Sequence, residues 1–257
     1  MKLRLAAAFL GVLLGTPAFA DPAAPHINGN YDGDHGPKHW AELAPDFGEC
    51  ARGKAQSPIE ISHATPRDDL PDLDVRYHTA PLRIVNNGHT VQVNAPDDDT
   101  LSIGDHRYHL AEFHFHTPSE EHVDGKTYAM ELHMVHRDDE GHLAVLGVLI
   151  KHGRKNPALD HVLSHLPKDA DGEHAEADDV DPASLLPQDL SYFYYDGSLT
   201  TPPCAEHVSW YVLEHPIEAS NQQIARFKKL YAHNARPLQP LNERTVYAHR
   251  AQAPTHP

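Results

Sequence analysis

The strongest constraint on the fold is one stretch of strict alternation. In RYHLAEFHFH, residues 107–116, Phe113 and Phe115 alternate with His114 and His116. An extended backbone sends the two phenyl rings to one face and the two imidazoles to the other. The chain holds 23 histidines, so the pair by itself fits either a metal site or two imidazoles on a solvated strand.

Runs of similar character recur: LRIVNNGHTVQVN (82–94), YAMELHMVHR (128–137), HLAVLGVLI (142–150), YFYYDGS (192–198) and EHVSWYVLEH (206–215), separated by Gly, Asp and Pro. They read as strands of a mostly β (α+β) protein built on a mainly antiparallel sheet. Two helices are expected. NPALDHVLSHL (156–166) places a proline directly after Asn156, and SNQQIARFKKLYAH (220–233) opens with a Ser220-x-x-Gln223 capping box and carries cations near its end. The acidic stretch KDADGEHAEADDVD (168–181) lacks apolar periodicity and reads as a solvated loop.

The first 20 residues, MKLRLAAAFLGVLLGTPAFA, combine Lys2 and Arg4, an apolar run from Leu5 to Leu14 and an Ala18-Phe19-Ala20 cleavage site. That is the pattern of a secretory signal peptide, with the mature chain starting near Asp21. The apolar run is too short to span a membrane and no later segment resembles a span, so a soluble, secreted, periplasmic protein is expected. Residues 21–257 carry no Gly/Ser/Pro linker and read as one domain. The formal net charge is −16 with histidine neutral, and loss of Lys2 and Arg4 with the leader makes it more negative still. Nucleic acid and anionic membrane are poor partners for such a surface. Cys50 and Cys204 are the only cysteines, and in an oxidising compartment a single disulfide between them is the economical reading. The oligomeric state is open, a homodimer included.

In ELHMVH (131–136), alternation puts Glu131, His133 and Val135 on one face and Met134 and His136 on the other. His133 is then the natural third partner of His114 and His116. Three neutral imidazoles with no further protein ligand make an open zinc site, whose fourth position is left to water. His136 points away and reads as a core histidine. Glu131 and Glu112 each stand two residues before a ligand histidine on the same face, placed to accept from its ring and fix its tautomer.

With those residues in view, the chain resembles the alpha-class carbonic anhydrases of the bacterial secreted type. GPKHW, GKAQSPI, NNGH, FHFHTPSE, ELHMVH, LAVLG, SLTTPPC and PLQPLNER occur in that family's order and span nearly the whole mature chain. The resemblance implies a large twisted, mainly antiparallel sheet with short peripheral helices, and a Zn2+ ion on His114, His116 and His133. It implies that Thr200 contacts the bound hydroxide and gives its own proton to Glu120. His89 would be the proton shuttle, Tyr31 would stand near the pocket's water chain, and Val135, Val145, Leu199 and Trp210 would form the apolar wall for carbon dioxide. The implied reaction is reversible hydration of carbon dioxide to bicarbonate and a proton.

Two positions depart from the family pattern. Glu112 stands where glutamine is usual. As an anion it makes His114 a stronger donor, so that zinc acidifies its water less; otherwise it is protonated or accepts from some other group. Gly29 stands where many relatives have tryptophan. Two rival readings remain, a periplasmic metal-storage protein and a catalytically silent relative used for binding. The first needs many weak sites, and the second usually lacks a ligand histidine, whereas all three are present.

Overall fold

The computed structural model describes residues 31–167 and 172–251; the signal peptide, the domain's start at residue 21 and Gly29 lie outside them. Eight main strands are β1 (Ala80–Asn86), β2 (Val91–Asn94), β3 (His106–His116), β4 (Met130–Arg137), β5 (Leu143–His152), β6 (Gly172–Val180), β7 (Tyr192–Ser198) and β8 (Glu206–Leu213). They lie side by side in the order β6-β1-β2-β3-β4-β5-β8-β7 within one 13-stranded sheet, continued by Tyr247–His249 and Thr65–Pro66. Every neighbouring pair among the eight is antiparallel except β5 with β8, which run parallel. The mainly antiparallel, strand-dominated architecture expected from the sequence is therefore present.

The alternation of the strands divides two apolar layers. Phe113 and Phe115 of β3, Leu132 and Met134 of β4, and Leu146, Val148 and Ile150 of β5 are fully buried in one cluster. Leu159, Val162 and Leu163 of helix α1 (Pro157–Ser164) and Ile224 and Phe227 of helix α2 (Asn221–Lys228) cover that same cluster. A second layer gathers Ile59, Ile61, Val145, Leu149, Tyr195, Val208, Trp210 and Val212. Strand β5 contributes to both, which explains why LAVLGVLI is almost continuously apolar where a half-exposed strand would alternate.

Both helix starts follow the sequence signals. The Asn156 side chain accepts from Leu159 N at 3.1 Å. Ser220 Oγ accepts from Gln223 N, and the Gln223 side chain accepts from Ser220 N in return. Gln223 also binds both the N–H and the carbonyl of Asn156, so that one amide joins the two helix caps.

The acidic stretch departs from expectation. Residues 172–180 form strand β6 at the sheet edge, with Val180 opposite Ala80 and Gly172 opposite Asn86; residues 168–171 lie outside the description. Apolar periodicity is a poor guide here because an edge strand needs only backbone partners on one side, and charged side chains suit an edge that must not recruit another chain.

Cys50 and Cys204 form a disulfide, S–S 2.05 Å. It belongs to a small third cluster with Tyr31, Trp40 and Phe47, and it fixes the 199–205 segment against the short helix Glu49–Arg52.

His136 is fully buried, with Nε2 2.6 Å from the Tyr77 hydroxyl and Nδ1 3.2 Å from the Ala144 carbonyl. Burial pushes its pKa down to about 4, against about 6.5 in an unfolded chain. Between those values the unfolded state takes up a proton that the native state refuses, so this contribution to stability is intact above about pH 6.5 and is lost as pH falls to about 4. The full loss is about 3 kcal/mol. Urea unfolding of the wild type at a series of pH values from 7 to 4 should therefore show a steeper acid loss of stability than His136→Gln; parallel curves would contradict this account.

Candidate metal centre and catalytic pocket

Strand register assembles the centre. His114 of β3 lies directly opposite His133 of β4, and His116 lies opposite Glu131. The three imidazoles face one another with ring centroids 5.0 Å (His114–His116), 5.3 Å (His114–His133) and 4.5 Å (His116–His133) apart. One ring nitrogen from each lies within 4.8 Å of the other two.

Two of the rings are hydrogen-bonded through Nδ1, and the third faces carboxylates. Nδ1 of His114 lies 2.9 and 3.0 Å from the two Glu112 oxygens, so Glu112 does accept from this ring. Nδ1 of His116 donates to the Asn234 carbonyl at 2.7 Å. Nε2 of His133 faces Glu131 Oε1 and Glu121 Oε2, each at 3.6 Å. For His114 and His116 the hydrogen bond through Nδ1 leaves the lone pair of Nε2 for a cation. Nε2 of His116 is buried and has no hydrogen-bond partner among the described residues. Burial, followed by the neighbouring His133 and His114 rings, keeps the pKa of His116 well below the ordinary histidine value. It is therefore neutral, the state a ligand requires. For His133 burial opposes the charged form, yet the hydrogen-bonding and charge of Glu121 and Glu131 outweigh it and raise the pKa. Two buried carboxyls thus draw positive charge onto this ring, and a bound divalent ion supplies it without a proton. The donor set fits Zn2+: three imidazoles, no thiolate, tautomers fixed from behind.

Glu121 is a member of the site that the alternation argument does not find, since it follows the end of β3. Its Oε1 accepts from the Tyr195 hydroxyl at 2.7 Å. Burial first, then the adjacent Glu121, raise the pKa of Glu131. Glu131 Oε2 also takes the backbone N–H groups of Glu120 and Glu121, at 2.9 and 3.0 Å. Gly147, opposite His133 on β5, leaves room for this carboxylate: a Cβ there would stand 3.0 Å from Glu131 Oε1.

Asn234 and Arg236 were also invisible to periodicity, because both lie on an irregular segment. Asn234 takes the His116 proton through its carbonyl, accepts from Thr117 N at 2.7 Å through its side chain, and donates to the carbonyls of Phe115 and His89. Arg236 N donates to Glu120 Oε1 at 2.6 Å, and its guanidinium reaches the carbonyls of Ser57 and Cys50. Glu120 is fully enclosed, and burial pushes its carboxyl up to about 7, opposed by His133 and by hydrogen bonds from Arg236 N and the Thr200 side chain. Thr200 thus lies close enough to bear on Glu120, the pair that the family resemblance links.

The four residues expected at the apolar wall lie together. Val135 of β4, Val145 of β5 and Trp210 of β8 form one cross-strand row, and Leu199 packs on the same cluster. Trp210 meets His133 edge-on at 4.9 Å and donates to the Ser198 carbonyl. Tyr31 is buried against Trp40; burial and then the charge of Glu120 raise its pKa. His89 is half-buried in the β1–β2 hairpin, whose Asn87 side chain accepts from the N–H groups of His89 and Thr90, with Gly88 at φ 83°. The turn therefore accounts for its backbone, and the Asn234 side chain ties its carbonyl to the segment that holds His116.

Residues 35–250 match the family model described as eukaryotic-type carbonic anhydrase. A carbonic anhydrase of Nostoc sp. is 42% identical over 244 residues, covering 92% of each chain. One from Pectobacterium carotovorum is 39% identical over 235 residues, covering 91% of this chain and 96% of the relative. The structure of the alpha-carbonic anhydrase of Thermovibrio ammonificans with sulfanilamide superposes with a TM-score of 0.83 at 41% identity, covering 86% of this chain and 99% of that one. With the three facing imidazoles, the Thr200–Glu120 contact and the apolar row all in place, the chain belongs to the alpha-type carbonic anhydrase family and carries its activity, the interconversion of carbon dioxide and bicarbonate.

Proposed function

We propose that this chain hydrates carbon dioxide as a zinc enzyme, with Zn2+ held by His114, His116 and His133 and the proton carried out by His89. The observation that carries the reading is the buried Nε2 of His116, left without a protein partner among the described residues while a nitrogen from each of the two neighbouring rings stands within 4.8 Å. Zinc bound in such a site acts as a Lewis acid and brings the pKa of water into the neutral range, a known property of carbonic anhydrases.

The chain's own residues do the rest. Thr200 donates its hydroxyl proton to Glu120, whose other oxygen is engaged by Arg236 N. Its oxygen is thereby committed as an acceptor, which aims the nucleophile's lone pair at the substrate. Val135, Val145, Leu199 and Trp210 offer carbon dioxide a surface without hydrogen-bonding groups. Glu112, Asn234 and the Glu121–Glu131 pair hold the three rings, and Tyr31 borders the water path. His89 accepts the released proton through ordered water and gives it to buffer, because an imidazole titrates near neutrality. The leader, read as a signal peptide, and the disulfide favour the periplasm as the working compartment.

Stopped-flow carbon dioxide hydration on the purified mature protein, with and without a chelator, tests the metal requirement; activity that survives complete zinc removal overturns it. His133→Ala should lose stoichiometric zinc and activity together, by elemental analysis and the same assay. For His89→Ala, the expected result is a maximal rate in dilute buffer lowered by about 10²-fold, with kcat/KM nearly unchanged, since attack on the substrate precedes proton export. Added imidazole should restore much of the loss. A full maximal rate in dilute buffer would make His89 a turn residue only.

A further inference from the structure

A second cluster of ligand-type side chains lies away from the catalytic pocket, where the end of helix α1 meets the edge strand β6. His161 and His165 are four residues apart, so their rings stand on one helix face, with centroids 5.2 Å apart. Asp178 reaches toward them from β6, and one ligand-type atom from each of the three residues lies within 4.8 Å of the others.

The hydrogen bonding there leaves a cation-shaped deficit. Nδ1 of His165 donates to the His161 carbonyl, 3.0 Å away. That bond puts the ring's lone pair on Nε2 in the neutral form. Nε2 points at Asp178 Oδ2, 3.2 Å distant, so in that form a lone pair faces a carboxylate and a proton or a metal ion is needed between them. Nε2 of His161 is buried and has no hydrogen-bond partner among the described residues. Both rings sit at the C-terminal end of the helix, where the unsatisfied carbonyls favour a cation. His165 and Asp178 are partly exposed, 21% and 59% at the side chain, which leaves an entry from solvent.

The geometry points to a second metal site, for a divalent transition-metal ion of the zinc class, bound by Nε2 of His161, Nε2 of His165 and a carboxylate oxygen of Asp178. Two imidazoles and one carboxylate suit Zn2+ and exclude neither Ni2+ nor Cu2+, whereas Mg2+ and Ca2+ want an all-oxygen shell. The backbone carbonyl of His161 plays the orienting part for His165 that Asn234 plays for His116. A metal here ties α1 to the outermost strand β6, so its occupation stabilises the edge of the sheet and leaves the chemistry of the pocket alone.

The test is calorimetric titration of the mature enzyme, already loaded with one zinc per chain, with zinc chloride, repeated on His161→Ala/His165→Ala and on Asp178→Asn. Wild type should take up a second equivalent and gain in Tm with it. The double variant should lose both the second equivalent and the Tm gain while keeping its first zinc and its carbon dioxide hydration, which shows that it is folded. Asp178→Asn should weaken the second equivalent. No second equivalent in wild type overturns the proposal. Uptake by the double variant with unchanged affinity also overturns it, since the zinc then lies on others of the 23 histidines.

Discussion

Everything at the centre depends on the register between β3 and β4. With His114 opposite His133 and His116 opposite Glu131, the imidazoles of two strands meet on one face while Phe113, Phe115, Leu132 and Met134 meet on the other. A slip of one residue would exchange the two sets, burying imidazoles among phenyl rings and exposing the core to water. The core therefore enforces the metal geometry, because the apolar face has only one good register. That register ends immediately beyond the site. Val135 still faces Glu112, but His136 faces Leu110, which leaves Ala111 without a partner on β4. Its carbonyl accepts from Ala95 N instead. A bulge at this point turns the outer strand without disturbing the row of ligands.

The second dependence is non-local. Strands place the rings but do not fix their rotation about the side-chain bonds, and the fixing groups come from segments far away in sequence. Asn234 closes on His116, Thr117, Phe115 and His89. Two residues later, Arg236 closes on Glu120 and on the carbonyls of Ser57 and Cys50. Cys50 is bonded to Cys204, in the segment just past Thr200. Glu120, the backing of His116 and the covalent anchor of the Thr200 segment are thus parts of one buried network. Most of its links end on backbone groups, which have little freedom to move.

Legibility in the sequence follows the same division. Period-two alternation identifies His114, His116 and His133 as a set and dismisses His136, because strand geometry alone decides those faces. The helix caps at Asn156 and Ser220 are readable since they are local. Thr200, Glu120 and the apolar row were legible only through the family resemblance, as nothing in their spacing announces a shared pocket. Glu121, Asn234, Arg236 and Gly147 were not legible: three lie on irregular backbone without a period, and the glycine matters for what it leaves empty. Strand β6 escaped for a further reason, as backbone pairing at a sheet edge makes no demand on side-chain polarity.

Electrostatics bears on the zinc that we propose for this site. Around three imidazoles the fold places Glu112 against His114, Glu120 beneath His116 and His133, and the Glu121–Glu131 pair behind His133. All but Glu112 are almost completely buried. Burying that many carboxyls beside neutral rings is costly unless positive charge accompanies them. Burial raises the pKa of Glu120 and Glu131, and the carboxyls of Glu121 and Glu131 raise that of His133 against its own burial. The zinc that we propose on the three imidazoles would place positive charge among these carboxyls without a proton. On that reading the ion would also favour the ionised form of Glu120, the form that can accept from the Thr200 hydroxyl.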